Sequence, residues 1–462
     1  MLNLLFALAA SLGILLAQDA PVLIRINLQD RLGPMEIDRF GVGQGGMSSE
    51  PMWPERVAEV RMLKPRLIRL FMQEYFNLLP ERGRYHFDTL DRSVDLILRT
   101  GAKPLLCIAF KPKLLFPAID QDKVEPSSWE EWDALIYNLV QHYRERGGQG
   151  WYWEVSNEPD LQTGGGTPYH FTLENYPPFY QRTVNAILRA DPDARVGGPA
   201  LAGWRSPILP PLLAFCESNK VPLHFVSWHG YTNDPMFFRK SIEGVKELLA
   251  KHPGLRPETV IDEWNMALGV SVVDPRFQPT FIAETTYQMK EAGLDLSCYY
   301  HIRDYPIAVD EFLRFYPKEY TMHERLFWDR HPLYLGLFDV QNRIRPAYFL
   351  MKAMARLTGT RLRVDSPSPA VHVLAAYDEE LKTASVLLWN FSKLPTQAAL
   401  EIGNAQPDVS AYTFVLDSTG PSDDDTARLR PLQPVAVKGG AGKLLLDLEP
   451  YGVTLVSLEA RR

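Results

Sequence analysis

A chain of 462 residues, 46% of them hydrophobic and 23% charged, can bury a large core and make more than one domain. Its formal charge of −7, with 49 Lys and Arg against 56 Asp and Glu, supplies no basic stripe and argues against nucleic acid or an anionic membrane as the main partner. The three cysteines, Cys107, Cys216 and Cys298, lie far apart without metal-ligand spacing and read as buried free thiols rather than a disulfide framework.

Residues 1–17 form an apolar run too short for a clear membrane span and followed at once by polar Gln18 and Asp19. It reads as a signal peptide, hence a secreted or periplasmic protein. The missing Lys or Arg ahead of it keeps an apolar helix or membrane anchor as the alternative. VLIRINL, within 21–34, alternates like a strand, and RFGVGQGG (39–46) is a strand meeting a glycine-rich turn. Strand-then-helix units follow. PRLIRLF (65–71) is a strand, 88–100 an amphipathic helix closed by Gly101, and KPLLCIAF (103–110) the next strand. The helix at 129–146 has a capping box in Ser128 and Glu131 and an apolar stripe from Trp132 through Leu135, Ile136, Leu139 and Val140 to Tyr143. Gly147 stops it.

WYWEVSNEPD (151–160) is an aromatic and β-branched run that must end its strand at Pro159, which cannot donate to a ladder. Further strands are ARVGGPA (194–200), PLHFVSWHGY (222–231), ETVIDEWN (258–265) and LDLSCYYHIRD (294–304), with helices around 176–190, 240–251 and 277–292. Eight strands in βα order force parallel pairing with right-handed crossovers, so the expected fold class is α/β, a (β/α)8 TIM barrel over 36–358. The stretch 305–345 is a long, irregular aromatic insertion, and 347–359 the last barrel helix. Beyond Arg361, short alternating segments such as VHVLAAYD and TASVLLWNFS predict a C-terminal antiparallel β-sandwich over 359–462, joined by the strand at 21–34. The glycine run at 164–166 lacks a phosphate-binding spacing.

Glu158 sits at the C-terminal lip of the fourth barrel strand, the face where catalytic groups of such barrels gather. Glycosidic cleavage needs two carboxyls, and Glu263 also ends an apolar strand. At about 31 residues per βα unit, it falls about three units after Glu158, on the seventh strand, facing the fourth across the mouth. If His229 points inward on the sixth strand, parity turns Ser227 and Tyr231 inward with it, so His229 or Tyr231 could hydrogen-bond Glu263. Arg69 on the second strand brings a positive charge that favours an ionised carboxylate, and Asn157 is placed for a sugar hydroxyl. Glu154 shares the inward parity of Glu158 and needs a partner such as an inward Arg, whereas parity sends Asp160 and Asp262 away from the cavity. His229 as a satisfied core histidine and Arg69 as a purely structural cation stay open. Trp228, Trp264 and Tyr300 suit core and sugar platform equally.

Asn-Glu-Pro closing a fourth strand, His229 and Tyr231 closing a sixth and Glu263-Trp264 closing a seventh resemble the clan A glycoside hydrolases. With FGVGQGG near the start and YLGLFDVQNRIRPAYFLMKAMARL before a terminal sandwich, residues 36–460 look most like glycoside hydrolase family 39, whose members include β-xylosidases and α-L-iduronidases. The resemblance implies a retaining enzyme that works by double displacement on a carbohydrate substrate, with Glu158 as acid/base and Glu263 as nucleophile. It calls for no metal or organic cofactor. Ser156 stands where a Trp commonly precedes Asn-Glu-Pro in that family, and YYHIRD lacks the Trp that many clan members use as a platform, a role left to Tyr300, His301 or Trp328. An endo-acting polysaccharide hydrolase of the same clan and a catalytically silent glycan-binding barrel are the alternatives. Sequence sets neither the sugar nor the oligomeric state.

Overall fold

The computed structural model describes residues 20–45, 48–161, 168–269, 274–330, 334–405, 409–419, 429–437 and 441–460. The apolar run at 1–17, expected to be a signal peptide, and the glycine run at 164–166 lie outside them. Eight parallel strands close into a barrel: β2 (Phe40–Gln44), β3 (Leu67–Met72), β4 (Lys103–Ile108), β5 (Tyr152–Val155), β6 (Arg195–Leu201), β7 (Phe225–Tyr231), β8 (Glu258–Asn265) and β9 (Leu296–Tyr300). These are the eight strands expected from the sequence, in the expected order. Helices cross between them: α1 (Val57–Met62), α2 (Asp88–Thr100), α3 (Trp129–Glu145), α4 (Tyr176–Ala190), α5 (Leu209–Asn219), α6 (Pro235–Leu249) and α7 (Phe277–Glu291). The α5 helix was not legible in the chain because Pro210 and Pro211 open it and its apolar residues run nearly all round. At α3 only half of the capping box forms. The Ser128 hydroxyl accepts from the Glu131 amide over 3.3 Å, while the Glu131 carboxylate turns to Arg82.

The interior of the barrel is layered with the period of two that a strand imposes. Leu67, Leu105, Phe225, Val260 and Leu296 form an apolar plug at the bottom. One step up the same strands, Arg69, Cys107, Glu154 and Ser227 form a polar layer, and the mouth lies above it. All three cysteines are free and buried.

The first strand, β1 (Val22–Pro34), leaves the barrel and joins β10 to β18, which span Thr360–Ala460. It pairs antiparallel with β10 (Thr360–Asp365) and parallel with β13 (Thr396–Gly403). The expected antiparallel β-sandwich domain is present, built as one ten-stranded, almost wholly antiparallel sheet curled round a single apolar cluster. A Cβ on Gly442, in β17 (Ala441–Leu448), would fall 2.8 Å from Val437 in β16 (Val435–Val437). These strands come from opposite ends of the strand order, so the curl brings the ends together. Glu284 of α7 ties this sheet to the barrel, accepting from Trp389 Nε1 at 2.8 Å and pairing with His372 at 2.6 Å.

The insertion at 305–345 is less irregular than its sequence suggests. It carries α8 (Val309–Phe312) and α9 (Lys318–Arg330) across the barrel mouth, and α10 (Pro346–Met354) completes the barrel. Phe312, Tyr316 and Tyr320 pack with Tyr75 into their own cluster. Among the described residues no helix is long and apolar enough to cross a membrane.

Candidate active site

Glu158 is held by a backbone that ordinary residues avoid. Ser156 and Glu158 both adopt left-handed φ, +74° and +47°. The turn is fixed by the Ser156 amide donating to Ile108 O at 3.1 Å and the Glu158 amide donating to Ala200 O at 2.7 Å. The carboxyl is thereby aimed over the mouth from a rigid support.

Glu263 reaches the same mouth from β8 by a different device. Trp228 pairs with Ile261 and His229 with Glu263, so Asp262 is an extra residue, a bulge in the ladder. The bulge breaks the alternation, and Asp262 and Glu263 both face inward. This corrects the expectation that parity turns Asp262 away.

Arg69 organises the cluster. Its Nε lies 2.8 Å from Glu154 Oε2 and 3.0 Å from Asp262 Oδ2, its Nη1 2.9 Å from Glu263 Oε2, and its Nη2 2.7 Å from Asn157 Oδ1. Tyr231 donates its hydroxyl to Glu263 Oε1 at 2.5 Å. His229 Nδ1 lies 2.9 Å from Glu158 Oε1, and its Nε2 lies 3.3 Å from Asp262 Oδ2. One oxygen of Glu158, one of Glu263 and a nitrogen of His229 all fall within 4.8 Å of one another. Retaining glycosidases hold their two carboxyls about 5–5.5 Å apart, and inverting ones about 6.5–9.5 Å. The spacing here belongs to the first geometry.

Burial alone would push the His229 imidazole down, but the Glu263 and Asp262 carboxylates, with hydrogen bonds to Asp262 and Glu158, hold it well above the ordinary range. As imidazolium it donates from both nitrogens. Burial likewise opposes the Arg69 charge, which Glu154 and Asp262 restore. Burial drives Glu154 up to about 7 against the pull of Arg69, with Asp262 adding to the rise. Asp262 itself is held below the usual carboxylate range. Burial opposes that, and Arg69 and His229 overcome it. Burial and the Glu263 charge lift Tyr231 far above the ordinary phenol, so it remains a donor. Glu158, His229 and Glu263 are also the one group of three with cation-ligand spacing among the described residues. Their atoms are already engaged: both His229 nitrogens by Glu158 and Asp262, both Glu263 oxygens by Tyr231 and Arg69.

A cavity of about 430 Å³ opens above these groups, with Asn157, Glu158, Tyr231, Glu263 and Tyr300 in its wall. The Tyr300 hydroxyl meets that of Tyr305 at 2.6 Å. Two other expected contacts are not there. Trp228 and Trp264 are buried in the layer between strands and helices, Trp228 donating to Ser241 at 3.1 Å and Trp264 packing edge-on against Tyr299 and Phe238. Each neighbours an inward residue, so the pleat turns it outward to the core, which corrects their reading as substrate-binding residues. His301 is buried and bonded to Asp304 at 2.8 Å, so it is no platform. The side chain of Trp328 lies outside the described residues. Phe71 and Gln73 line the cavity unforeseen, although both share the inward parity of Arg69. A larger cleft, about 630 Å³, lies on the C-terminal sheet. Its charges satisfy one another, Arg25 with Asp365 and Glu401, Arg363 with Asp30 and Lys443 with Glu401, and none converges on a ligand position.

The model of the family described as glycosyl hydrolases family 39 matches residues 67–394. A β-xylosidase of Caldicellulosiruptor saccharolyticus is 28% identical over 327 residues, 64% of this chain and 62% of that one. A β-xylosidase of Geobacillus stearothermophilus is 31% identical over 191 residues, 39% of this chain and 36% of that one. The chain thus spans less than two thirds of either curated relative. Among solved structures, a family 39 enzyme from Xanthomonas axonopodis pv. citri superposes with a TM-score of 0.76 at 20% identity over 96% of this chain and 98% of that one. A monomeric β-xylosidase from Caulobacter crescentus CB15 gives 0.74 at 17% identity over 96% and 100%. These two likenesses show the shared fold, barrel and terminal sheet together. The family match covers well over half of the chain, and the protein belongs to glycosyl hydrolases family 39.

Proposed function

We propose that the protein is a retaining, exo-acting glycosidase of the β-xylosidase kind. The observation that carries this reading is the approach of Glu158 and Glu263 to within 4.8 Å at one rim of the barrel. In the first step Glu263 attacks the anomeric carbon while Glu158 gives its proton to the departing oxygen. In the second, Glu158 takes a proton from water, and that water displaces Glu263 from the glycosyl-enzyme. Tyr231 and Arg69, each on a different oxygen of Glu263, fix the direction of attack. Asn157 and Tyr300, both in the cavity wall, are the proposed sugar contacts.

Exo action is favoured over endo action by the aromatic insertion. Phe312, Tyr316 and Tyr320 of this insertion stand in the cavity wall beside Glu158 and Glu263, where they limit how far a chain can extend past the two carboxyls. The preference for xylose is supported by the two curated β-xylosidases that the chain resembles. Export by the leader at 1–17 is part of the same proposal.

Azide rescue tests the assignment. With an activated aryl glycoside, Glu158→Ala should lose turnover and regain it with azide, giving a glycosyl azide of the substrate's own anomeric configuration. A Glu158→Ala protein that keeps full activity and ignores azide would reject the role. An unimpaired affinity for glycan, with no turnover by the wild-type chain, would favour the silent barrel.

A further inference from the structure

The bulge in β8 leaves a carboxylate inside the barrel that neither proton transfer nor nucleophilic attack uses. Asp262 Oδ2 faces His229 Nε2 at 3.3 Å and Arg69 Nε at 3.0 Å, and its Oδ1 is buried with no protein partner among the described residues. On the far side of the same imidazole, Nδ1 faces Glu158 Oε1 at 2.9 Å. Asp262, His229 and Glu158 therefore form one continuous chain from the polar layer to the rim. His229 is fully buried, and bulk water does not compete for either nitrogen.

We infer that Asp262 is a positioning residue for the acid/base: it keeps His229 doubly protonated, so that Nδ1–H stabilises the Glu158 carboxylate left after the proton goes to the leaving group. The inference rests on the reading of Glu158 as acid/base. Its proton balance is simple. Glu158 loses one proton to the departing oxygen and regains one from water, while His229 keeps both of its own throughout. The imidazolium makes a charge-assisted bond to the form of Glu158 that exists only between the two steps, where stabilisation lowers the barrier to departure.

The titratable groups that face this chain come from β3, β4, β5, β8 and β9. Around His229 stand Glu158 after β5 and Asp262 and Glu263 from β8. Around Asp262 stand Arg69 from β3, Glu154 from β5, and the thiols Cys107 from β4 and Cys298 from β9. The thiols are lifted by burial and stay neutral, so the pull on His229 comes from carboxylates.

The leaving group separates the hypotheses. A dinitrophenolate departs without a proton, whereas an alcohol or sugar needs one, and kcat/KM reports the step in which it leaves. Asp262→Asn should lower kcat/KM for an alkyl glycoside or disaccharide by about ten- to hundredfold, a share of the 10²–10⁴ that a general acid supplies, and leave the dinitrophenyl glycoside within about threefold. Its basic limb on the disaccharide should move to higher pH. Equal losses on both substrates, or none, would overturn the inference. Glu158→Gln is measured beside it: if that variant is unselective, the acid assignment itself fails, and if it is selective while Asp262→Asn is not, only the role of Asp262 fails. A measurement needing no variant is the ¹⁵N spectrum of the wild-type ring. Both His229 nitrogens should be protonated at pH 7.5, and a neutral ring there would overturn the inference.

Discussion

The Tyr231 hydroxyl donates to Glu263 Oε1 across 2.5 Å, on the carboxylate oxygen opposite the one that Arg69 holds at 2.9 Å. A carboxylate gripped on both oxygens has one productive orientation. Removing one hydrogen bond to a charged group costs about 1.5–3 kcal/mol, so Tyr231→Phe should lower kcat/KM by roughly tenfold to 150-fold on every substrate, the dinitrophenyl glycoside included. Steady-state kinetics check it. An effect confined to poor leaving groups would place Tyr231 with the acid rather than the nucleophile.

Arg69 is buried among three carboxyls from two strands. Deleting one partner of such a cluster leaves uncompensated charge in the core and costs about 3–5 kcal/mol. Arg69→Met should therefore lower the urea midpoint of unfolding sharply as well as abolish turnover. A variant with native stability would mean that the barrel does not depend on its central cation.

Stability should also depend on pH through Glu154. Among the described residues Arg69 alone faces Glu154, while Asp262 and Glu263 share it with the His229 imidazolium, and a proton on Glu154 relieves the excess negative charge of the three carboxyls. Burial has pushed Glu154 up to about 7, above the value of about 4.3 expected in the unfolded chain. The folded state thus binds this proton more tightly. Its contribution is full below the unfolded value and is lost as pH rises through about 7. Urea midpoints at pH 5 and pH 8 should fall with pH in the wild type and fall less in Glu154→Gln. Equal slopes in the two proteins would assign the dependence elsewhere.

The aromatic roof makes its own prediction. Tyr316 receives a hydrogen bond from Gln73 Nε2 at 2.6 Å and packs at a tilt against Tyr320, tying the lid to the rim of β3. Product sizing on xylo-oligosaccharides should show only the terminal monosaccharide released by the wild type. Tyr316→Ala should raise KM more than it lowers kcat. Early appearance of internal fragments from the wild type would favour the endo-acting reading.

The barrel was legible because each strand is a short apolar run followed by a helix with its own stop signal, and those local rules agree with the fold. The rim was legible as far as strict alternation holds: Arg69, Glu154, Ser227, His229 and Tyr231 all face inward as parity requires. It failed at Asp262, where one bulged residue resets the count, since a bulge depends on the neighbouring strand and leaves no mark in its own sequence. The tryptophans misled for another reason. Composition favours them as sugar platforms, but the pleat decides their face, and Trp228 and Trp264 fill the layer beneath the helices. The lid helices were hidden because their aromatic residues face a cavity and each other rather than one continuous core.

The central claim is that Glu158 and Glu263 cooperate at a spacing that permits a covalent intermediate. The most direct measurement is the anomeric configuration of the first-formed product, followed by proton NMR during rapid turnover of an aryl β-glycoside. The β-anomer should appear first and mutarotate afterwards. First appearance of the α-anomer would contradict the account, because inverting enzymes hold their carboxyls about 6.5–9.5 Å apart to seat a water beside the sugar, and Glu158 and Glu263 approach to within 4.8 Å.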